Sequence, residues 1–169
     1  PLNSPKPLDT ILAMQEKFGS SVIIGAGTVT KVSEVNNLSG LGCQMIVSPN
    51  TDKDVIKATK DKGMLSFPGV LTPSDCFSAI NSGADALKIF PAFKLGVDGF
   101  KAVKAVLPSD VKTYGVGGIN ENHFHEWLLA GLTGFGIGSN LFHPSMNDDD
   151  IKTTAKKIVI EYDSWFAER

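Results

Sequence analysis

The chain has little of what metal and redox proteins need. Among its 169 residues there are two cysteines and three histidines. Cys43 and Cys76 lie far apart with no metal-ligand spacing, and they read most simply as buried free thiols of a reducing compartment, the cytoplasm. His123 and His125 are two apart near a helix start, so they share no face and make a poor metal pair. They read as surface histidines, and His143 is isolated. Asp148-Asp149-Asp150 lacks a calcium-loop pattern and suits the start of a helix, where acidic residues complement the dipole. No metal and no cofactor is therefore expected. Charge of one sign is also missing. The net charge is −2, which gives no general pull on nucleic acid or an anionic membrane. No apolar run approaches the roughly 20 residues of a membrane-spanning helix. The chain starts at Pro1, without an initiator methionine or a signal peptide, so the expectation is that its first ordered element is cut.

What is present is an ordinary globular composition, 42% hydrophobic and 20% charged, enough for one sizeable core. Glycine and proline punctuate it at a regular interval. Pro1 to Pro5 read as the tail of a strand entering a helix, with Ser4 as N-cap, Pro5 at the first helical position and Gly19 as the stop. Val22 to Thr28 is an apolar run ending in small residues, as in a strand buried on both faces. A helix capped by Ser33 follows, then Gln44–Pro49, a helix from Asp52 to Lys62, and Met64–Pro68. Next come a helix from Pro73 to Ser82, the strand around Lys88, and a helix from about Asp98 to Leu107. Val111–Gly118, a helix from about Glu121 to Ala130, Gly134–Ser139 and a last helix from about Asp148 to Phe166 complete the chain. Strands centred near residues 24, 46, 66, 88, 114 and 136 recur about every 20 residues, the signature of a parallel α/β sheet. No G-x-G-x-x-G opens the first helix. The pattern predicts a (β/α)8 TIM-barrel type in one domain, residues 1–169, lacking its first strand–helix unit and most of its second strand.

In such barrels chemistry sits at the C-terminal strand ends. The run Ala86-Leu87-Lys88-Ile89-Phe90-Pro91 carries one lysine inside an apolar strand. Taken alone, it suits a lysine that finds a partner or whose stem packs while its head reaches water; the other reading is an amine kept partly neutral for chemistry. Gly117-Gly118 and Gly138-Ser139 follow the last two strands. Each pair alone is equally a tight turn needing positive φ. Together they stand where barrels often bind phosphate on backbone N–H groups.

Gly25-Ala26-Gly27-Thr28-Val29, Val47-Ser48-Pro49-Asn50, Ala86 to Pro91, Val116-Gly117-Gly118-Ile119 and Gly136-Ile137-Gly138-Ser139 occur in that order. In this combination the chain resembles the class I 2-keto-3-deoxy-6-phosphosugar-acid aldolases over nearly its whole length. Pro1 to Pro5 is similar to the phosphogalactonate branch of that family rather than the phosphogluconate branch. The resemblance implies a barrel lyase of the cytoplasm, a trimer, acting on a small phosphorylated keto-deoxy sugar acid and needing no cofactor. It implies Lys88 as the Schiff-base amine, Thr28 against substrate hydroxyl or carboxylate groups, and Pro49 and Phe90 as walls of the pyruvyl pocket. Gly117, Gly118, Gly138 and Ser139 would hold the phosphate. The family's proton-moving glutamate and its substrate-binding arginine would both precede Pro1, so this chain by itself is expected to be impaired. Competing readings are a phosphate-binding barrel isomerase or epimerase, which would not need Lys88 in an apolar strand, and a non-catalytic remnant that keeps only phosphate affinity.

Overall fold

Helices and short parallel strands alternate along the chain, and the glycines mark most of the changes. The computed structural model describes residues 1–167. The chain divides into two compact units, Pro1–Lys88 with Leu107–Lys112, and Ile89–Val106 with the residues from Thr113 onward.

The first unit opens with α1, Pro7–Phe18. Its start differs from the expected Ser4 cap with Pro5 at the first position. Lys6 precedes the helix at φ 45°, and Pro7 takes the first turn. The hydroxyl of Ser4 donates instead to Pro1 O at 2.7 Å, so it closes the preceding turn and caps nothing. Then follow β1 (Gly25–Gly27), α2 (Val32–Gly40), β2 (Met45–Val47), α3 (Lys53–Asp61) and β3 (Leu65–Phe67). Beyond them lie β4 (Gly69–Val70), α4 (Pro73–Asn81) and β5 (Leu87–Ile89). The cap of α2 is Lys31, not Ser33. Glu34, at the third helical position, reaches back and accepts from the backbone N–H groups of Thr30 at 2.8 Å and Lys31 at 3.1 Å, the glutamate half of a capping box.

Strands β1, β2 and β3 pair in parallel, with Ala26, Ile46 and Ser66 in register and all buried. Behind them Ile11, Val29, Val35, Leu38, Val55 and Met64 form part of one apolar cluster. The strand expected from Val22 pairs only from Gly25, and Val22 and Ile23 are exposed. The two-residue strand β4, next to β5, has no counterpart in the sequence pattern, because Pro68 ends the apolar run before it.

In the second unit α5 spans Ala92–Lys104. It begins six residues before the expected Asp98, and Gly96, at φ 68° and ψ 170°, breaks it. The predicted helix is therefore the part after the break. Next come β6 (Thr113–Val116), a 3-10 turn at Glu121–His123, α6 (Phe124–Leu129), β7 (Gly134–Gly136) and α7 (Asp148–Ala167). β6 and β7 are parallel, with Val116 opposite Gly136. Phe124 stacks on Phe135 at 4.1 Å between ring centres, and Tyr162 of α7 stands edge-on to both. Glu121 and Lys157 form an ion pair at 2.6 Å that fastens the 3-10 turn to α7.

All six predicted strand centres fall within two residues of an observed strand. Cys43 and Cys76 are both buried and free. Burial raises both thiols, Cys76 to about 11, so neither is a thiolate near neutral pH. Among the described residues no group of His, Cys, Asp and Glu could hold a metal, and no helix is long and apolar enough to cross a membrane.

Candidate active site

Lys88 is the buried cation of the first unit. All three residues of β5 are buried, and Lys88 is 9% exposed. Its backbone N–H donates to Pro68 O at 2.9 Å, which fixes the strand beside the end of β3. Its Nζ reaches the C-terminal end of β2 and donates to Ser48 O at 3.4 Å. The amine is thus held among strand ends rather than extended into water. Burial pushes its pKa below the ordinary 10.5, because the charged form loses hydration that a neutral amine does not need. Asp85 anchors the approach to β5. It accepts from Ser66 N at 2.7 Å and pairs with Lys60 at 2.7 Å.

Thr28 and Pro49 follow β1 and β2 at the end where the Lys88 amine meets Ser48 O. Gly27 is in register with Val47, so Thr28 and Ser48 leave β1 and β2 side by side. Val29 N donates back to Val47 O at 3.3 Å. Thr28 has φ 63°, the left-handed region that a β-branched residue rarely enters. A conformation that costs about 1–2 kcal/mol persists when something else is gained from it. Thr28→Gly is accordingly expected to raise thermal stability by about 1 kcal/mol while activity falls at least about tenfold. Paired melting and rate measurements check this; a variant that is both less stable and fully active defeats it.

In the second unit the glycines fall at the C-terminal ends of β6 and β7. Gly117 and Gly118 have φ 93° and 73° in succession. A Cβ on Gly118 would lie 2.7 Å from Phe93 Cβ. One on Gly117 would meet the Phe90 ring at 3.5 Å, so Phe90 packs over that turn. Gly138 differs: among the described residues, its two chain neighbours aside, no atom lies within 4 Å of where its Cβ would be, and its φ needs no glycine. Neither backbone geometry nor crowding by the chain accounts for it, and its main chain is open to a ligand. Ser139, beside it, is exposed.

Sequence reading passed over Asn140 and placed His123 at the surface. Asn140 donates from Nδ2 to Ile119 O at 2.7 Å, joining the turn after β7 to the turn after β6. His123, expected at the surface, is half-buried, and its Nδ1 accepts from Asn120 N at 3.2 Å. His125 is exposed and lies edge-on to Trp165 at 4.9 Å. An asparagine in a turn and a histidine near a helix start carry no signal that distinguishes them in sequence.

The profile of the KDPG and KHG aldolase family matches residues 1–157. A probable 2-dehydro-3-deoxy-6-phosphogalactonate aldolase of Rhizobium meliloti (strain 1021) is 39% identical over 164 residues, covering 97% of this chain and 77% of that protein. The 2-dehydro-3-deoxy-6-phosphogalactonate aldolase of Escherichia coli (strain K12) is 40% identical over 162 residues, covering 96% and 79%. A solved structure of native KDPGal superimposes with a TM-score of 0.95 at 40% identity, over 97% of this chain and 80% of that one. The alternating parallel α/β architecture and the ordered strand-end motifs agree with that match, and the chain belongs to the KDPG and KHG aldolase family.

Proposed function

We propose that this chain cleaves 2-dehydro-3-deoxy-6-phosphogalactonate to pyruvate and D-glyceraldehyde 3-phosphate through an imine on Lys88. The observation that carries the reading is a lysine 9% exposed, its pKa lowered by burial, at the strand ends of a class I aldolase fold. The neutral amine adds to the C2 ketone, and loss of water gives a protonated imine. The C4 hydroxyl gives up its proton as the C3–C4 bond breaks, and the bonding pair passes into the imine to form an enamine. Glyceraldehyde 3-phosphate departs. Protonation at C3 and hydrolysis by water then release pyruvate and restore the amine.

In this proposal Thr28 meets substrate hydroxyl or carboxylate groups. Pro49 and Phe90 wall the pyruvyl group, and Gly117, Gly118, Gly138 and Ser139 hold the phosphate on backbone N–H groups. The relatives at 39% and 40% identity bear the galactonate name, which favours that substrate over the gluconate epimer. A (β/α) barrel, a homotrimer and a cytoplasmic setting belong to the same proposal; the buried free thiols suit a reducing compartment. A phosphate-binding isomerase would use the same glycine turns, but it would have no use for a desolvated lysine.

Incubation with pyruvate and borohydride tests the reading. One covalent adduct is expected, on Lys88, and its rate of formation should rise with pH through a pKa below 10.5 as the amine loses its proton. No adduct, or an adduct on another lysine, refutes it.

A further inference from the structure

Two turns that the proposed function assigns to phosphate are separated by 20 residues of chain yet joined by one side chain. Asn140 follows Gly138 and Ser139 directly, and its Nδ2 donates to the carbonyl of Ile119, the residue after Gly118, at 2.7 Å. A carbonyl oxygen can only accept, so the nitrogen of the amide must face it. Ile119 is 4% exposed, which makes its carbonyl a fixed anchor. The far side of the same turn is also fixed. Asn120 N donates to His123 Nδ1 at 3.2 Å, and Asn120 Oδ1 accepts from Asn122 N at 3.1 Å. The Gly138 side is closed by Leu141 N and Phe142 N donating to Gly138 O at 2.9 Å and 3.1 Å. Each turn is thus internally tight. The pairing of β6 with β7, Val116 opposite Gly136, brings the two turns side by side, and the Asn140 amide ties them together beyond the last paired residues.

We infer that Asn140 is a positioning residue for a phosphate monoester: it holds the Gly117-Gly118 turn and the Gly138-Ser139 turn at the separation at which both can donate to one anion. The inference rests on the proposed function of those turns. Backbone donors gain affinity when their spacing is fixed before the ligand arrives, because no ordering remains to be done on binding. With the amide removed, each turn keeps its own hydrogen bonds and the pair is joined only through the strands β6 and β7 that precede it. The effect belongs to binding of the phosphorylated end, and the Lys88 amine does not depend on it.

The experiment follows backbone amide signals during titration with inorganic phosphate, alongside steady-state kinetics. In the parent chain the amides of Gly117, Gly118, Gly138 and Ser139 are expected to respond together. In Asn140→Ala the phosphate affinity read at both turns should fall by about the same factor, roughly tenfold for one lost hydrogen bond in a preorganised site. KM should rise with it, while kcat, borohydride trapping at Lys88 and the melting temperature stay near the parent values. Asn140→Asp, which presents an acceptor to the Ile119 carbonyl, should lose at least as much. Unchanged phosphate affinity in Asn140→Ala, or a loss confined to one turn, overturns the inference and leaves the phosphate assignment standing. Failure of phosphate to move either turn in the parent chain overturns both. A collapse of the melting temperature together with kcat shows Asn140 to be a general fold contact and also rejects the inference.

Discussion

Lys88→Arg is expected to abolish both cleavage and borohydride trapping, a loss on the order of 10⁴-fold or more in rate, as for other covalent nucleophiles. Arginine keeps the positive charge and much of the length, but a guanidinium stays protonated and cannot attack a ketone. The loss therefore separates nucleophilicity from charge. Lys88→Met serves as the fold control, because it keeps the apolar stem within a strand buried at all three positions. Burial holds the Lys88 pKa below 10.5, so between that lowered value and 10.5 the unfolded chain binds more protons than the folded one, and stability rises with pH. Lys88→Met removes that slope. The variant should melt higher than the parent at low and neutral pH, and the difference should shrink as pH approaches 10.5. Inorganic phosphate should bind both variants as it binds the parent. A Lys88→Arg chain that still turns over substrate would remove the lysine from the reaction.

Much of this fold is legible because its physics is local. A glycine after most of the helices, α5 excepted, and a short apolar run beyond it place the strand centres to within two residues. Pro73 marks the start of α4, and the structure adds the cap, a reciprocal bond between Thr72 and Asp75. Asp52 similarly accepts from Asp54 N and Val55 N at the start of α3. Lys88 is legible because a lone cation in an apolar strand has few places to go. What stays hidden depends on choices between near-equal local partners. Ser4 could cap a helix or close a turn, and it closes the turn. Glu34 displaces Ser33 because a carboxylate two or three residues into a helix can reach back to two N–H groups at once. The early start of α5 and its break at Gly96 read in sequence as a loop, since the glycine interrupts the apolar period. The left-handed Thr28 runs against residue preference altogether, so it shows only in the folded chain. The Asn140 bond spans 21 positions between two turns, and no periodicity encodes such a pairing.

Gly118→Ala and Gly138→Ala should together separate folding from binding at the two turns proposed to hold the phosphate. At Gly118 an alanine meets two obstacles. Its φ of 73° costs an L-residue about 1–2 kcal/mol, and the new Cβ would sit 2.7 Å from Phe93 Cβ. The Phe93 ring is exposed and can swing away, but a Cβ moves only with its backbone. Relief therefore requires the turn itself to shift, and with it the N–H groups proposed to bind phosphate. Stability should fall by about 1–3 kcal/mol, and KM for the phosphorylated substrate should rise about 10–100-fold. At Gly138 the chain offers no obstacle: nothing lies within 4 Å, and the backbone is not left-handed. Gly138→Ala should leave stability within about 0.5 kcal/mol of the parent, as for other surface changes. Its methyl group still occupies the space through which a phosphate would approach the main chain, so KM should rise about tenfold with the fold intact. Melting curves and KM values for both variants decide the matter. Equal KM in the parent and Gly138→Ala would place the anion elsewhere, and an undisturbed Gly118→Ala chain would mean that the Phe93 contact is softer than its geometry requires.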